Sequence, residues 1–384
     1  MIIGFDAEIF YRQQHGGISL HFSRLIFELI GFGHSVIIFC PAHSHSQICS
    51  NLYIEPLLKL KYISLVHYNK LAELPLLSSS ANIDIFHCTY YSWRPALTNI
   101  PTIRTFHDIA FLRYPFASNL LQSLIKFILQ SVAFLSADGI VTVSAYSRSE
   151  YQKTFGRLRN FLGLAPALMA TVRNSTGLKS FADISPGFAK QAFFSTEVRD
   201  FVILYVGLRG GYKNFRNGMT ALLKAIAYFE NQNAQYSFQF RIVSKEPLSR
   251  LDRLRLARSS VSVRQFSNID SESLAALYLS SSLLLHTSIY EGFGITVLEA
   301  MRLGCPVLAV DIPAVREVAG DTISYSRDGS VKSLYESMVN VLPMLHGISL
   351  EHHLDAMNRS SRFSWRRSAC SLEKFYFSLL KTIL

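Results

Sequence analysis

No Cys-x-x-Cys pair and no histidine cluster at zinc spacing occurs in the 384 residues. The five cysteines, Cys40, Cys49, Cys88, Cys305 and Cys370, are scattered, which excludes a disulfide-stapled scaffold and reads as buried thiols in a reducing compartment. There is no Asp-x-Asp pair, so no metal site is assigned. No apolar run reaches the ~18 residues of a membrane helix. The greasiest stretch, around Leu120 to Leu135, is interrupted by Gln122, Ser123, Lys126, Gln130 and Ser131 and reads as a helix packed in a core. The opening MIIGFDAEIF lacks a positive leader and meets acid at Asp6 and Glu8, as a first strand does and a signal peptide does not. Charged residues make up only 17% of the chain, and the net charge of +11 is spread out: residues 1–180 hold 15 Lys/Arg against 9 Asp/Glu, the remainder 23 against 18. Without a dense basic stripe, no nucleic acid is expected; acidic small ligands or an anionic membrane face suit the balance better. The dinucleotide fingerprint is missing too. Gly31-Phe32-Gly33 is followed by Val36 where the third glycine belongs, and Gly292-Phe293-Gly294 by Val297, so an oxidoreductase is not supported.

What the chain does have is apolar material, 49% of its residues, enough for two sizeable cores. A strand at 2–6, a glycine-containing loop at Gln14 to Ile18, a helix at Leu20 to Ile30 and a strand at Ser35 to Phe39 form a first β–loop–α–β unit. Strands follow at Ile83–His87, Thr102–Phe106 and Gly139–Val143, with a helix near 117–136 between the last two. Ser175 to Arg199 is polar, contains Pro186 and lacks periodicity, so the inter-domain linker is placed there. The pattern then restarts with a strand at Phe201 to Val206, a glycine-rich turn to Gly211, a helix at Met219 to Phe229 and a strand at Phe238 to Val243. A helix at Ser271–Tyr278 and a strand at Ser282–His286 lead to the most informative stretch. This alternation predicts an α/β chain of two facing Rossmann-like domains with a central cleft, ligands sitting at the strands' carboxyl ends. The expected partition is 1–178, 179–362 and an amphipathic C-terminal helix over 363–384 that crosses back to the first domain.

The stretch His286 to Ala309, HTSIYEGFGITVLEAMRLGCPVLA, reads loop, helix, turn, strand. Gly292 and Gly294 let the backbone approach a ligand, and the first unpaired N–H groups of the helix near Ile295 point at whatever occupies the turn, a place suited to an anion. Glu291 and Glu299 frame it, both able to reach hydroxyls of a ligand whose phosphates rest on the helix start. In the earlier turn, YVGLRGGYKNF from Tyr205 to Phe215, Arg209 and Lys213 lie four apart among glycines and can converge on a pyrophosphate, neutralising charge that grows on a leaving diphosphate. His107, directly after the strand Thr102–Phe106, stands where ligand sites form, with Asp108 as its orienting neighbour.

These motifs together, with Gly16-Gly17-Ile18, FHDIAF and VTVSAYSRSE at 141–150, resemble the family-4 retaining glycosyltransferases of the type-B fold along nearly the whole chain. The resemblance implies that Glu291 contacts the transferred sugar and Glu299 the nucleotide ribose. Arg209 and Lys213 would hold the diphosphate, His107 would lie beside the donor sugar, and Gly16 and Gly17 would lie near phosphate and acceptor. The backbone of Phe293, Gly294 and Ile295 would complete the anion site. It implies a nucleotide diphosphate sugar as donor substrate with no separate cofactor, and a glycan or lipid-linked glycan as acceptor. The form of the VGLRGGYKNF turn is most similar to mannosyl-type members that build surface polysaccharides, which points to GDP-mannose. The expected location is cytoplasmic, with peripheral contact to an anionic inner membrane face through the first domain. Arg148, Lys153, Arg157, Arg159 and Arg173, interleaved with Phe155, Leu158, Phe161 and Leu162, are the expected contact, the alternative being a loop packed on its own domain. Val243-Ser244-Lys245-Glu246-Pro247 departs from the family's glycine-rich strand end, as Arg173 to Gly177 does from its Asn-Gly element. Two other classes compete. A glycoside hydrolase would set its carboxylates on opposite sides of the scissile bond, whereas Glu291 and Glu299 share a loop and its own helix. A non-catalytic sugar-nucleotide binder would tolerate loss of some of Arg209, Lys213, Glu291 and Glu299, and all four are present.

Overall fold

The computed structural model describes residues 1–13, 16–51, 53–70, 73–90, 100–114, 120–178, 200–232, 234, 236–345 and 350–383. Most of the expected linker, residues 179–199, lies outside the described residues, as do Gln14 and His15. Two compact units emerge, one of Met1–Ser175 with Phe363–Leu384, the other of Thr176–Arg362.

In the first unit seven strands lie in the order β3-β2-β1-β4-β5-β6-β7. They are β1 (Ile2–Asp6), β2 (Ser35–Pro41), β3 (Ile63–Tyr68), β4 (Ile85–Cys88), β5 (Thr102–Phe106), β6 (Gly139–Thr142) and β7 (Leu168–Thr171). Every pair is parallel. Parallel strands bury both faces, so they are near-continuous apolar runs such as Ile2-Ile3-Gly4-Phe5. A Cβ at Gly4 would come within 2.6 Å of Ile83 Cδ1, which is why the central strand has no side chain there. The C-terminal helix Trp365–Ile383 belongs to this core: Trp365, Ala369, Leu372, Phe375 and Tyr376 are buried with Ile3, Phe5, Phe22 and Leu25.

The second unit holds six parallel strands in the order β10-β9-β8-β11-β12-β13. They are β8 (Asp200–Val206), β9 (Ser237–Val243), β10 (Ser262–Phe266), β11 (Leu283–His286), β12 (Val307–Val310) and β13 (Ser324–Ser326). In each sheet the strand order reverses once, between β1 and β4 and between β8 and β11. A crevice forms outside the carboxyl ends at such a reversal. The glycine-rich turn after β8 and the Glu291–Gly294 turn after β11 therefore meet at one place although 78 residues separate Lys213 from Glu291.

Two sequence expectations need correcting. The helix Leu120–Leu135 is not wholly packed in the core. Phe134 is fully buried and Phe127 stacks on Phe155, but Leu124, Ile125, Ile128, Leu129 and Val132 form an exposed stripe on the opposite face. The expected basic membrane contact is also not continuous. Phe155 is buried, and Arg159 is folded inward, donating to the carbonyls of Leu135 at 2.9 Å and Ala165 at 2.9 Å, which fastens residues 157–161 to the end of that helix. Its charge is spent on carbonyls that the helix's last turn leaves without intrahelical donors.

Candidate active site

The loops after β8 and β11 are tied together before any functional side chain is considered. Tyr205 donates its hydroxyl to the Leu208 carbonyl. Asn214, held at φ +55°, starts the helix Phe215–Asn231 and donates to the Gly329 carbonyl at 2.7 Å. The Thr287 hydroxyl donates to the Lys213 carbonyl at 2.7 Å, and the Ile289 amide to the Tyr212 carbonyl at 2.9 Å. Gly218 allows this approach, since a Cβ there would lie 2.2 Å from Thr287 Cγ2.

On this frame Lys213 Nζ sits 2.7 Å from Glu291 Oε1, and His286 Nε2 is 3.6 Å from the same oxygen. Burial alone would raise the Glu291 pKa. The charge of Lys213, with hydrogen bonds from Lys213 and Ser288, outweighs it, so the carboxyl is held below its usual range. Burial is also the first influence on His286, pushing it down to about 4 against the pull of Glu291; it is a neutral ring at pH 7, its Nδ1 3.2 Å from Thr296 Oγ1. The local charge is thus one ammonium against one carboxylate.

Gly294 adopts φ +105° and caps the helix Ile295–Arg302. The first intrahelical bond runs from the Leu298 amide to the Gly294 carbonyl, so the amides of Ile295, Thr296 and Val297 precede the ladder and carry the positive end of the helix dipole. Gly292 and Phe293 form the turn before it, Phe293 buried. Glu299, on that helix, is buried and accepts the Tyr278 hydroxyl at 2.9 Å. Burial pushes its carboxyl up to about 7, tempered by hydrogen bonds from Tyr278 and Thr176.

Arg209 and Lys213 do not share a carboxylate. The Arg209 amide donates to Glu246 Oε2 at 3.2 Å, and its guanidinium donates to the Pro247 carbonyl, lies 3.7 Å from Asp252 Oδ2 and rests over the Phe215 ring. The Val243–Pro247 departure is accordingly the wall that receives Arg209.

The remaining expected residues lie in the first unit. Gly16 precedes the helix Gly17–Gly31, its carbonyl accepting from the Leu20 amide at 3.1 Å and the Ser19 hydroxyl at 3.0 Å. His107 is buried after β5, edge-on to His21 at 5.2 Å between centroids, and burial with the neighbouring His21 and His87 pushes its pKa well below the usual value. Asp108 Oδ1 accepts the Ala110 amide at 3.0 Å.

Sequence reasoning assigned no role to His286, Asp252, Tyr278 or Thr176. His286 ends a strand beside the glycine turn, a position that could have flagged it. Asp252 lies among arginines in RLDRLRLAR, where local spacing marks no site, and the tertiary structure turns it inward.

Residues 15–160 match the family described as Glycosyltransferase Family 4, and residues 200–343 that described as Glycosyl transferases group 1. O-antigen chain mannosyltransferase B of Escherichia coli is 37% identical over 59 residues, 15% of this chain and 16% of that protein. The serotype-specific mannosyltransferase WbdA of Escherichia coli is 31% identical over 131 residues, 33% of this chain and 16% of that protein. The chain thus matches about a sixth of the length of these curated relatives. A sucrose-phosphate synthase from Thermosynechococcus elongatus superposes with a TM-score of 0.70 at 17% identity over 100% of both chains, a likeness of fold.

Proposed function

We propose that this chain, whose residues 15–160 and 200–343 match the family-4 and group-1 glycosyltransferase models and whose fold is of type B, moves a hexose from a nucleotide diphosphate sugar to a glycan or lipid-linked glycan acceptor in surface-polysaccharide synthesis, with retention and without a metal ion. The observation that carries the reading is the Lys213–Glu291 pair at the mouth of the Gly292–Gly294 turn. A diphosphate there meets Lys213, with Arg209 on the same β8 loop, and the leading amides of the helix Ile295–Arg302. Those groups stabilise the charge that develops as the bond from sugar C1 to the β-phosphate oxygen breaks. The electron pair leaves with the diphosphate, the acceptor oxygen bonds C1 from the same face, and its proton passes to the departing diphosphate. Glu291, held ionised, lies beside the sugar, and Glu299 accepts from ribose hydroxyls. His107, Gly16 and Gly17 take the roles that the family implies.

GDP-mannose is the donor we favour, on the form of the Tyr205–Phe215 turn and the mannosyltransferase relatives. Saturation-transfer NMR with a panel of GDP- and UDP-sugars tests it. Preference for a UDP-sugar overturns the donor and leaves the reaction class standing. Activity that survives EDTA supports the metal-free mechanism, and strict dependence on added divalent metal refutes it.

We further propose that, where the acceptor is lipid-linked, the protein docks on an anionic membrane surface. The support is the exposed stripe of the helix Leu120–Leu135 and, separately, Phe161, which is 85% exposed, together with seven Lys/Arg against two Asp/Glu between residues 111 and 175. None of the described helices is long and apolar enough to cross a membrane. Co-sedimentation with anionic but not neutral vesicles, weakened by salt and by Ile128→Ser or Phe161→Ser, is expected. Equal recovery in the supernatant with both vesicle types refutes the docking.

A further inference from the structure

Asp252 is a buried acid with no part in the reaction as described above. It lies on the inner face of the helix Arg250–Ala257, a segment whose outer face carries Arg250, Leu251, Arg253 and Leu254 in solvent. Burying a carboxylate is costly unless charge and hydrogen bonds compensate it. The compensation here is specific: Ser249 donates its hydroxyl to Asp252 Oδ2 at 2.6 Å, Arg209 Nη1 lies 3.7 Å from that same oxygen, and Arg216 Nε lies 3.6 Å from Oδ1. Arg216 is largely in solvent, its side chain 66% exposed, whereas that of Arg209 is only 9% exposed. The paired charge that matters to the buried acid is therefore Arg209.

The neighbours of Asp252 complete the enclosure. Arg209 has its amide on Glu246, its guanidinium on the Pro247 carbonyl and its flat face on Phe215. Glu246, Pro247, Ser249 and Asp252 come from one seven-residue segment after β9, and Gln265 of β10 steadies it by donating to the Glu246 carbonyl at 2.7 Å and accepting the Leu248 amide at 3.2 Å. The first two residues of that segment, Glu246 and Pro247, belong to the Val243–Pro247 stretch that departs from the glycine-rich strand end of the family it resembles.

We propose that Asp252 is a positioning residue that fixes the Arg209 guanidinium for the diphosphate. The inference rests on the assignment of Arg209 to the leaving diphosphate. Its physical content is preorganisation: a guanidinium hydrogen-bonded to a carbonyl and drawn towards a buried carboxylate 3.7 Å away reorients less as charge develops, so the benefit falls on turnover rather than on donor affinity. Asp252 touches neither donor nor acceptor, and acts only through Arg209.

The test uses the full chain with GDP-mannose and GDP as probes. Asp252→Asn keeps the shape and the Ser249 bond but removes the charge. It is expected to lower turnover roughly tenfold while leaving KM for GDP-mannose within about twofold, because misplacing one group costs rate more than binding. In an Arg209→Ala background the same substitution is expected to change turnover by less than about twofold, the signature of two residues acting as one unit. A merely structural role predicts the same factor in both backgrounds, and that result overturns the proposal. A second readout needs no activity. The Arg209 side-chain Nε–H signal, identified by its loss in Arg209→Ala, should show hindered guanidinium rotation in the ligand-free protein and fast rotation in Asp252→Asn. Unchanged rotation refutes the positioning role. If the wild type binds neither GDP nor UDP while rotation still responds to Asp252→Asn, the failure lies with the diphosphate assignment and not with Asp252. Should Asp252→Asn fold poorly, Ser249→Ala, which loosens the carboxylate without removing it, is expected to show the same two effects at smaller size, with partial recovery of turnover in Asp252→Glu.

Discussion

Lys213 Nζ and Glu291 Oε1 are 2.7 Å apart, one on the loop after β8 and the other on the loop after β11, with side chains 20% and 14% exposed. His286, 3.6 Å from the same Glu291 oxygen, is neutral and brings no charge to the pair. Removing one partner of a buried pair strands the other, which costs about 3–5 kcal/mol. Lys213→Ala and Glu291→Ala should each approach the lower end of that range in urea unfolding, and the double variant should cost clearly less than their sum. Strict additivity would mean the pair is not coupled.

The same lysine carries a kinetic prediction. On the proposed reaction Lys213→Ala removes a preorganised positive charge from the leaving diphosphate, a loss of about 2.7–4 kcal/mol in transition-state stabilisation. Turnover with the preferred donor should drop far more than donor affinity. A decline in turnover of less than about threefold would remove Lys213 from the mechanism.

Gly294 is required for its backbone rather than for space. A Cβ would sit 3.5 Å from Val315 Cγ2, an ordinary contact, but the residue is at φ +105°, where an L side chain is strained. Gly294→Ala should therefore destabilise the second unit by roughly 1–3 kcal/mol and turn the leading amides of the Ile295–Arg302 helix away from the anion. Unfolding free energy and GDP affinity, measured together, check both effects; a neutral substitution in both contradicts the account.

Alternation of apolar runs with helical periodicity made both sheets legible, because parallel strands and their crossover helices each have their own period. Thr102–Phe106 appears at its expected bounds, and the type-B fold that the motifs implied is the one found. Short or polar strands were missed for the converse reason. β10, SVRQF, is an edge strand with solvent on one side, and β13 is only three residues long. The exposed face of the Leu120–Leu135 helix was misread because apolar periodicity marks an amphipathic surface without saying what covers it. At the site, the glycines and carboxylates were legible as a motif, but pairing was not. That Lys213 would meet Glu291 while Arg209 met Asp252 depends on the carboxyl ends of β8 and β11 meeting at the sheet's reversal and on a helix turning one acid inward, neither of which is written in local spacing.

Three neutral histidines should make the first unit sensitive to acid. Burial pushes His21 down to about 4, and burial together with nearby histidines pushes His87 and His107 well below the usual 6.5. His87 is further committed, with Tyr376 at 2.6 Å and Thr105 at 2.8 Å. Between these depressed values and 6.5 the unfolded chain binds more protons than the folded one, so stability is complete above about pH 6.5 and falls as the pH drops towards about 4. Urea midpoints followed by the fluorescence of Trp365, which lies against His21 at 5.8 Å, should decline over that window. His107→Gln should make the decline shallower. A midpoint flat from pH 7 to pH 5 would show that the three rings are not held neutral.

Glu299 gives the opposite sign and joins stability to function. Its carboxyl titrates at about 7 in the folded chain against an ordinary 4.5, with burial as the leading cause. From about pH 4.5 to 7 the folded state therefore binds more protons than the unfolded one, so this group's contribution is fully present below 4.5 and is lost as the pH rises through 7. Glu299→Gln removes the titration while leaving an oxygen to accept from Tyr278. It should leave stability nearly unchanged at pH 5 and raise it at pH 8, where the wild type has to bury a charge. Ligand binding should move the other way. An ionised Glu299 is the better acceptor for ribose hydroxyls, a charged bond being stronger than a neutral one. On the proposed reading, GDP affinity of the wild type should accordingly strengthen from pH 6 to pH 8, and that of Glu299→Gln should be weaker and independent of pH over the same interval. Calorimetric titration of GDP into both proteins at the two pH values, beside urea unfolding in the same buffers, measures the two effects separately. A wild-type affinity that does not change across pH 7, with the stability difference present, would leave Glu299 as a buried structural acid and move the ribose contact elsewhere.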